Sequence, residues 1–111
     1  MRTKVLINDF ATRCFRDVAD QDYIAARMCY RAGLIPQFHW SALQAIEKYL
    51  KAILLYNRVK ANNVWHDLES ALRLTDKLHL TIVLSDCSKE LIKHINRFGK
   101  YRYLESSYYI Y

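Results

Sequence analysis

The stretch from Pro36 to Arg58 constrains the fold of this chain most strongly, because its apolar residues have the spacing of a long helix. Two adjacent rows recur at intervals of three and four residues. The first comprises Phe38, Ala42, Ala45, Tyr49, Ala52 and Tyr56, and the second comprises Leu43, Ile46, Leu50 and Ile53. Together they cover roughly half of the helix circumference, more than the ~100° stripe of an ordinary surface helix. The stretch therefore predicts a central helix with neighbours on more than one side.

Within this central helix we expect a core-facing set and a solvent-facing set. The residues expected to be buried are Phe38, Ala42, Ile46, Tyr49, Leu50 and Ile53. The polar residues on the remaining arc are Gln44, Glu47, Lys48 and Lys51. Glu47 precedes Lys51 by four residues, an order that favours an ion pair along the helix surface.

Gly33 and Pro36 mark the boundary between the central helix and the one before it. Glycine suits the residue that follows a helix C-terminus, and proline suits the first helical position. Only Leu34 and Ile35 lie between them, and so short a connection makes the two helices antiparallel neighbours.

The helix before Gly33 is predicted as one long segment from about Asn8 to Ala32, with Asn8 or Asp9 as its N-cap. Its acidic residues at positions 17–22 are interpreted as a solvated face rather than a metal site. The reason is that no histidine is interleaved with them.

Two further helices are predicted in the C-terminal half. One runs from residue 66 or 67 to about Leu78, after a non-periodic loop at 59–65. The other begins at residue 85 or 86, and Gly99 ends or loosens it. Its inner row is expected to comprise Leu91, Ile95 and Phe98. The pattern predicts an all-α fold, an antiparallel up-and-down bundle of four to five helices in a single domain spanning 1–111.

Composition narrows the class of protein. Only two glycines and one proline occur, which argues against a turn-rich all-β fold. No apolar run approaches the ~20 residues that cross a bilayer, and the N-terminus lacks the apolar segment of a signal peptide. The three cysteines, Cys14, Cys29 and Cys87, have no metal-binding spacing, so we expect free thiols in a reducing, cytoplasmic setting. No metal, cofactor or membrane is expected.

A row of cations along the last helix is the first candidate site. Lys89, Lys93, Arg97 and Lys100 recur at spacings of four, four and three, and Arg102 extends the row. With a net charge of +6, such a row beside aromatic rings suits a nucleic-acid backbone and its bases. The alternative is a merely solvated helix face. The binding candidates are Lys93, Arg97, Lys100, Tyr101, Arg102 and Tyr103.

Ordinary catalytic motifs are absent from the sequence. There is no GxSxG motif and no glycine loop that would cradle a phosphate. No pair among the four histidines, His39, His66, His79 and His94, has the spacing of a metal site. A structural role is favoured for them, and His66 could cap a helix.

Several segments resemble the HEPN family. Asp22 to Arg27 (DYIAAR) is similar to its Asp-hydrophobic-x-Ala-Ala run, and Gln44 to Ala52 (QAIEKYLKA) is similar to its Gln-Ala-x-Glu-Lys-x-Leu-Lys-Ala pattern. The intervening Gly33-Leu34 and Phe38 to Ala42 (FHWSA) belong to the same resemblance. His66-Asp67-Leu68 and Arg102-Tyr103 resemble two later family features. The likeness extends over most of the chain.

The resemblance implies a helical bundle that often dimerises, associates with nucleotides or RNA, and often has a nucleotidyltransferase partner. Many relatives are RNases, including toxins of toxin–antitoxin pairs, and their motif is an Arg followed after four to six residues by His. Arg97 matches that Arg and is the catalytic candidate. The matching window holds Arg102, Tyr103 and Leu104, none of which is His. Arg102 would stay protonated, so it suits phosphate binding but not general-base catalysis.

The sequence thus leads to a nucleotide- or RNA-binding module without nuclease activity. One alternative is an RNase toxin with an altered active site. Another is a protein that docks a nucleotidyltransferase.

Overall fold

The computed structural model describes residues 2–60, 67–78 and 82–110, with side chains up to Gly99. Its elements are α1 (Arg2–Ala11), a π-helical segment (Thr12–Arg16), α2 (Asp17–Arg31), α3 (Ile35–Tyr56), α4 (Leu68–Leu74), a 3₁₀ turn (Thr75–Lys77) and α5 (Asp86–Ile110). The described residues contain no strand. The predicted all-α bundle is confirmed.

The turn between α2 and α3 forms as the sequence predicts. Gly33 has a φ of 74°, in the left-handed region that glycine adopts without strain. Its N–H donates to the carbonyl oxygen of Tyr30 at 3.1 Å. The N–H of Leu34 donates to the carbonyl oxygen of Cys29 at 2.9 Å. These two bonds satisfy carbonyls at the end of α2, the pattern of a Schellman motif. Pro36 lies in the first turn of α3.

Acidic residues of α2 hold it against α3. Lys48 Nζ lies 2.6 Å from Asp22 Oδ2, and both side chains are only 25% exposed. Tyr49 donates a hydrogen bond to Asp20, and this bond raises the pKa of Tyr49 to about 12. A solvated face therefore describes Asp17, which is exposed, but not Asp22.

The core forms where α3 meets α2, α4 and α5, which confirms that α3 is central. Its main cluster comprises Ala26, Ala42, Leu43, Leu68 and Ile95. Of the expected buried residues of α3, Ala42 and Leu50 are buried, whereas Phe38, Ile46, Tyr49 and Ile53 are only half-buried. Leu43 and Leu54 are fully buried instead. The buried face is thus rotated relative to the expected one, because α3 has helices on several sides.

Glu47 is the clearest departure from the expected polar arc of α3. It is 5% exposed, and its Oε1 accepts a hydrogen bond from Lys51 Nζ at 3.0 Å. The predicted ion pair therefore exists, but it is largely shielded from water. Such shielding makes it stronger and less sensitive to salt than a surface pair.

The N-terminal helix begins at Arg2 rather than near Asn8, so neither Asn8 nor Asp9 is an N-cap. Both lie within α1, where Asn8 accepts a hydrogen bond from Arg58 Nη1 at 3.0 Å. The extra turns of α1 form because they pack against the end of α3, where the hydroxyls of Thr12 and Tyr56 also hydrogen-bond. The prediction of one long helical segment holds, with a π-helical stretch inside it.

Gly99 does not end α5, which continues to Ile110. This prediction was wrong because the glycine has a packing role: an added Cβ would lie 2.3 Å from Leu43 Cδ2. Leu91 was also misplaced, since it is 46% exposed while Ile92 packs against the core. The third predicted helix is shorter than expected, because a 3₁₀ turn replaces its end before Leu78. Residues 61–66, which include most of the predicted loop and His66, lie outside the described residues.

Candidate functional site

The cationic row on α5 faces solvent as predicted. Lys89, Lys93 and Arg97 are all exposed and follow one another at successive turns. Lys93 Nζ lies 3.7 Å from Glu90 Oε1. This ion pair is mostly in water, because the two side chains are 60% and 76% exposed. Within the described residues, Lys89 and Arg97 have no side-chain hydrogen bond or ion pair. Three cations that are barely neutralised create a local field that attracts anions.

The other predicted site residues, Lys100, Tyr101, Arg102 and Tyr103, belong to α5, but their side chains lie outside the described part of the chain. Of the six predicted binding residues, the structure therefore places two, Lys93 and Arg97, on one exposed face.

A buried asparagine fixes the backbone next to Arg97. Asn96 is 2% exposed, and its Oδ1 accepts a hydrogen bond from the backbone N–H of Leu68 at 2.9 Å. Its Nδ2 donates to Asp67 Oδ1 at 2.9 Å, and Asp67 Oδ2 accepts from Ser70 Oγ at 2.7 Å. The first turn of a helix leaves N–H groups without intrahelical partners, and Asn96 satisfies one of them for α4. Asn96 thus joins α4 to α5 while Arg97 faces outward.

Two histidines meet beside the cationic row. The rings of His39 on α3 and His94 on α5 have centroids 4.9 Å apart, and Phe98 lies 5.2 Å from His39. Burial, followed by electrostatic repulsion from His94, lowers the pKa of His39 from its ordinary value of 6.5, which favours the neutral form of this ring. His94 precedes Arg97 by three residues, and helical residues three apart are surface neighbours.

The sequence did not predict this histidine pair, because histidines were compared only with the spacings of metal ligands along the chain. The two rings come from different helices, so no local motif contains both. The available signal was the position of His94 on the helix face of Arg97.

A cleft of about 390 Å³ opens beside the row, between the α4 region and α5. Lys89, Lys93 and Arg73 line it, but so do Glu69 and Asp76. The carboxylates offset most of the positive charge, so the cleft is less suited to a phosphate than the open face of α5.

The described residues contain no group of three or more His, Cys, Asp or Glu that could hold a metal ion. Cys14, Cys29 and Cys87 are free thiols. None of the described helices combines the length and apolar character needed to cross a bilayer.

A family model, the HEPN domain, matches residues 13–110. This chain belongs to the HEPN family. The match runs from the π-helical segment through the described length of α5, so it includes both histidines and the cationic row. Neither the curated proteins nor the solved structures gave a match to this HEPN domain.

The residues that carried the HEPN resemblance have structural contacts in this domain. Asp22 and Lys48, one from each of the two family runs, pair with each other. Ala26 and Ala42 lie in one core cluster, where α2 and α3 approach closely. Asp67 and Leu68 meet Asn96. These positions build the bundle, whereas the two described binding candidates, Lys93 and Arg97, are exposed on α5.

Proposed function

We propose that this HEPN domain binds nucleotides or RNA through α5 and does not cleave RNA. The observation that carries the proposal is the exposed row of Lys89, Lys93 and Arg97 beside the rings of His94 and Phe98. Fixed cations neutralise phosphates, and adjacent rings offer faces on which bases stack. The backbone of Arg97 is held by its buried neighbour, Asn96, so the row is presented on a rigid element.

The proposal of binding without cleavage is supported by the chemistry of the positions after Arg97. Cleavage of RNA requires a group that removes a proton from the attacking hydroxyl. The window where many HEPN RNases carry His holds Arg102, Tyr103 and Leu104. An arginine cannot accept that proton, but it can bind a phosphate.

The test is the salt dependence of binding, measured by fluorescence anisotropy with a labelled single-stranded RNA and with ATP. Each neutralised phosphate releases counterions, so log K should fall linearly with log salt, by about 0.7 per contact on a single strand. Arg97→Ala and Arg102→Ala should each weaken binding and lower this slope by that amount. The matched control is Arg13→Ala. It removes an exposed arginine that lies in the N-terminal helical segment, away from α5, and pairs there with Asp9.

Three outcomes separate the candidate functions. Salt-dependent binding with intact RNA supports the binding module. If the protein cleaves RNA and Arg97→Ala abolishes the cleavage, its function is that of a nuclease and not of a binding module. An absence of binding to RNA and nucleotide at low salt would leave the docking of a nucleotidyltransferase as the surviving function.

One observation favours the second candidate, an RNase toxin with an altered site. Burial and the neighbouring His94 lower the pKa of His39, which favours its neutral form, and a neutral imidazole can act as a general base. If this pair replaces the missing motif histidine, His39→Gln and His94→Gln should each abolish cleavage, a much larger loss than any weakening of RNA binding that follows from removing a ring. Cleavage that survives in both variants would exclude the pair from the chemistry.

We also propose that the domain forms a homodimer. The wide apolar arc of α3 is covered by helices of the same chain, so it does not supply the dimer surface. The supporting surface is on α1, where Leu6 and Phe10, one helical turn apart, are 66% and 52% exposed. Sedimentation at micromolar concentration should show a dimer that Leu6→Glu dissociates. A strictly monomeric wild-type protein at that concentration would contradict the proposal.

A further inference from the structure

A second group of cations and rings lies on α2, away from the row on α5. Arg27, Tyr30 and Arg31 of α2 and Phe38 of α3 line an open surface pocket of about 370 Å³. Tyr30 is 63% exposed, so most of its ring faces solvent. The four lining residues include no carboxylate, in contrast to the cleft beside α4.

The two arginines of this pocket are available to an anion. Within the described residues neither makes an ion pair. The guanidinium of Arg27 lies beside Tyr23, with Cζ 5.8 Å from the ring centroid, and its Nη1 donates a hydrogen bond to the Tyr23 hydroxyl at 3.3 Å. The pocket therefore combines two unpaired cations with an exposed ring, the combination that holds a phosphate and stacks a base.

A continuous row of rings joins this pocket to α5. The ring centroids of Tyr30 and Phe38 are 5.2 Å apart, and those of Phe38 and His39 are 5.5 Å apart. His39 in turn lies 4.9 Å from His94, one helical turn before Arg97. The row thus crosses from α2 over α3 to α5, with cations at both ends.

We propose that this row is a track for single-stranded RNA, with Tyr30 as a base-stacking platform and Arg27 and Arg31 as phosphate contacts at its far end. The inference rests on the proposed binding function and names its ligand. A mononucleotide could occupy one cationic end but not both. A duplex keeps its bases stacked on one another, so it could not use Tyr30. The layout suits a flexible strand of several nucleotides.

The first experiment compares three probes: an oligouridylate of about 12 nucleotides, within the site sizes of single-strand-binding folds, the same strand paired in a duplex, and UMP. The single strand should bind most tightly. Tyr30→Ala should weaken its binding roughly 5- to 150-fold, the loss expected for one stacked base. Tyr30→Phe keeps the ring and should bind like the wild type. Circular dichroism confirms that both variants remain folded.

The second experiment measures the salt slope of oligouridylate binding. The Arg27→Ala/Arg31→Ala double variant should lower the slope by about 1.4, at about 0.7 per phosphate contact. Arg13→Ala, on a helical segment outside the ring row, should leave it unchanged.

The outcomes separate the track from the broader function. If the oligouridylate binds, and its binding depends on Arg97 but not on Tyr30, Arg27 or Arg31, the track is wrong and the α5 site stands. The same conclusion follows if UMP or the duplex binds as tightly as the single strand. If none of the probes binds at low salt, both the track and the binding function fail.

Discussion

Helix α3 buries seven of its 22 residues, whereas only three of the fourteen residues 86–99 of α5 are buried. Helix α3 contacts α1, α2, α4 and α5, and even one of its charged residues, Glu47, is shielded from water. Helix α5 rests on the core through Ile95, Asn96 and Gly99. It exposes three cations, Lys89, Lys93 and Arg97. Changes in α3 should therefore act on stability, and most changes in α5 should act on binding.

The largest expected effect separates two leucines. Leu43 of α3 is fully buried, and Leu91 of α5 is 46% exposed. Leu43→Ala should cost about 2–5 kcal/mol of unfolding free energy, because it removes buried methyl groups and leaves a cavity. Leu91→Ala should cost less than about 0.5 kcal/mol. Urea denaturation measures both, and similar losses would contradict the contrast between the helices.

At Gly99 the backbone of α5 lies close to the side chain of Leu43 on α3, and Gly99→Ala tests this contact. The new methyl group would overlap Leu43 Cδ2, at a cost of about 1–3 kcal/mol, offset by up to about 1 kcal/mol of improved helix propensity. In a Leu43→Ala background the overlap disappears, so the same change should become neutral or stabilising. A double-mutant cycle measures this reversal. An equal cost in both backgrounds would show that the contact is not the cause.

Asn96 and Arg97 sharpen the comparison within α5 itself. Asn96→Ala leaves the N–H of Leu68 buried without a partner and should cost about 1–3 kcal/mol. Arg97→Ala, one residue along on the exposed face, should change stability by less than about 0.5 kcal/mol and weaken RNA binding instead. Chemical denaturation and anisotropy, run on both variants, give the two readouts. Equal destabilisation by both changes would show that Arg97 is part of the core.

A smaller effect is expected from pH at the junction of the two helices. The pKa of His39 is lowered in the folded protein, by burial and by His94, while the unfolded chain keeps the ordinary value near 6.5. Below that value the unfolded state binds a proton that the folded state does not, so stability should fall as the pH falls until it passes the lowered pKa. His39→Gln should flatten part of the decline below about pH 6.5. A profile unchanged by the substitution would contradict the linkage.

The smallest effect is expected at Lys93. Its pair with Glu90 is largely in water, so Lys93→Ala should change stability by less than about 0.5 kcal/mol. Thermal unfolding in low and high salt provides the check. A larger loss would mean that the exposed face of α5 also contributes to holding the bundle together.

Local signals in the sequence predicted most of the fold. The turn at Gly33 and the start of α5 depend on residues close together in the chain, and both form as expected. The stripe of α3 showed that the helix is central, but not how it is rotated, because rotation depends on where the other helices pack. The role of Gly99 was missed for the same reason, since Leu43 is distant in sequence.

The candidate site was predicted only in part. Helical spacing was enough to place Lys93 and Arg97 on one exposed face. The ring row was not predictable, because Tyr30, His39 and His94 come from three helices and meet only through tertiary packing. The acceptor roles of Asp20 and Asp22 depend equally on the approach of α3 to α2.

The π-helical segment at Thr12–Arg16 gives the N-terminal arm of the bundle a tolerance to changes in length. The N–H of Asp17 bonds to the carbonyl of Thr12, five residues back rather than four, so this wide turn holds one residue more than an α-helical turn. Cys14, within the turn, is exposed. Loss of that one residue would tighten the turn into ordinary α-helix and leave the chain continuous on either side. In α3, by contrast, a one-residue deletion would rotate every following side chain by roughly 100° and misalign the core. The π-helical segment can therefore lose a residue that α3 cannot lose.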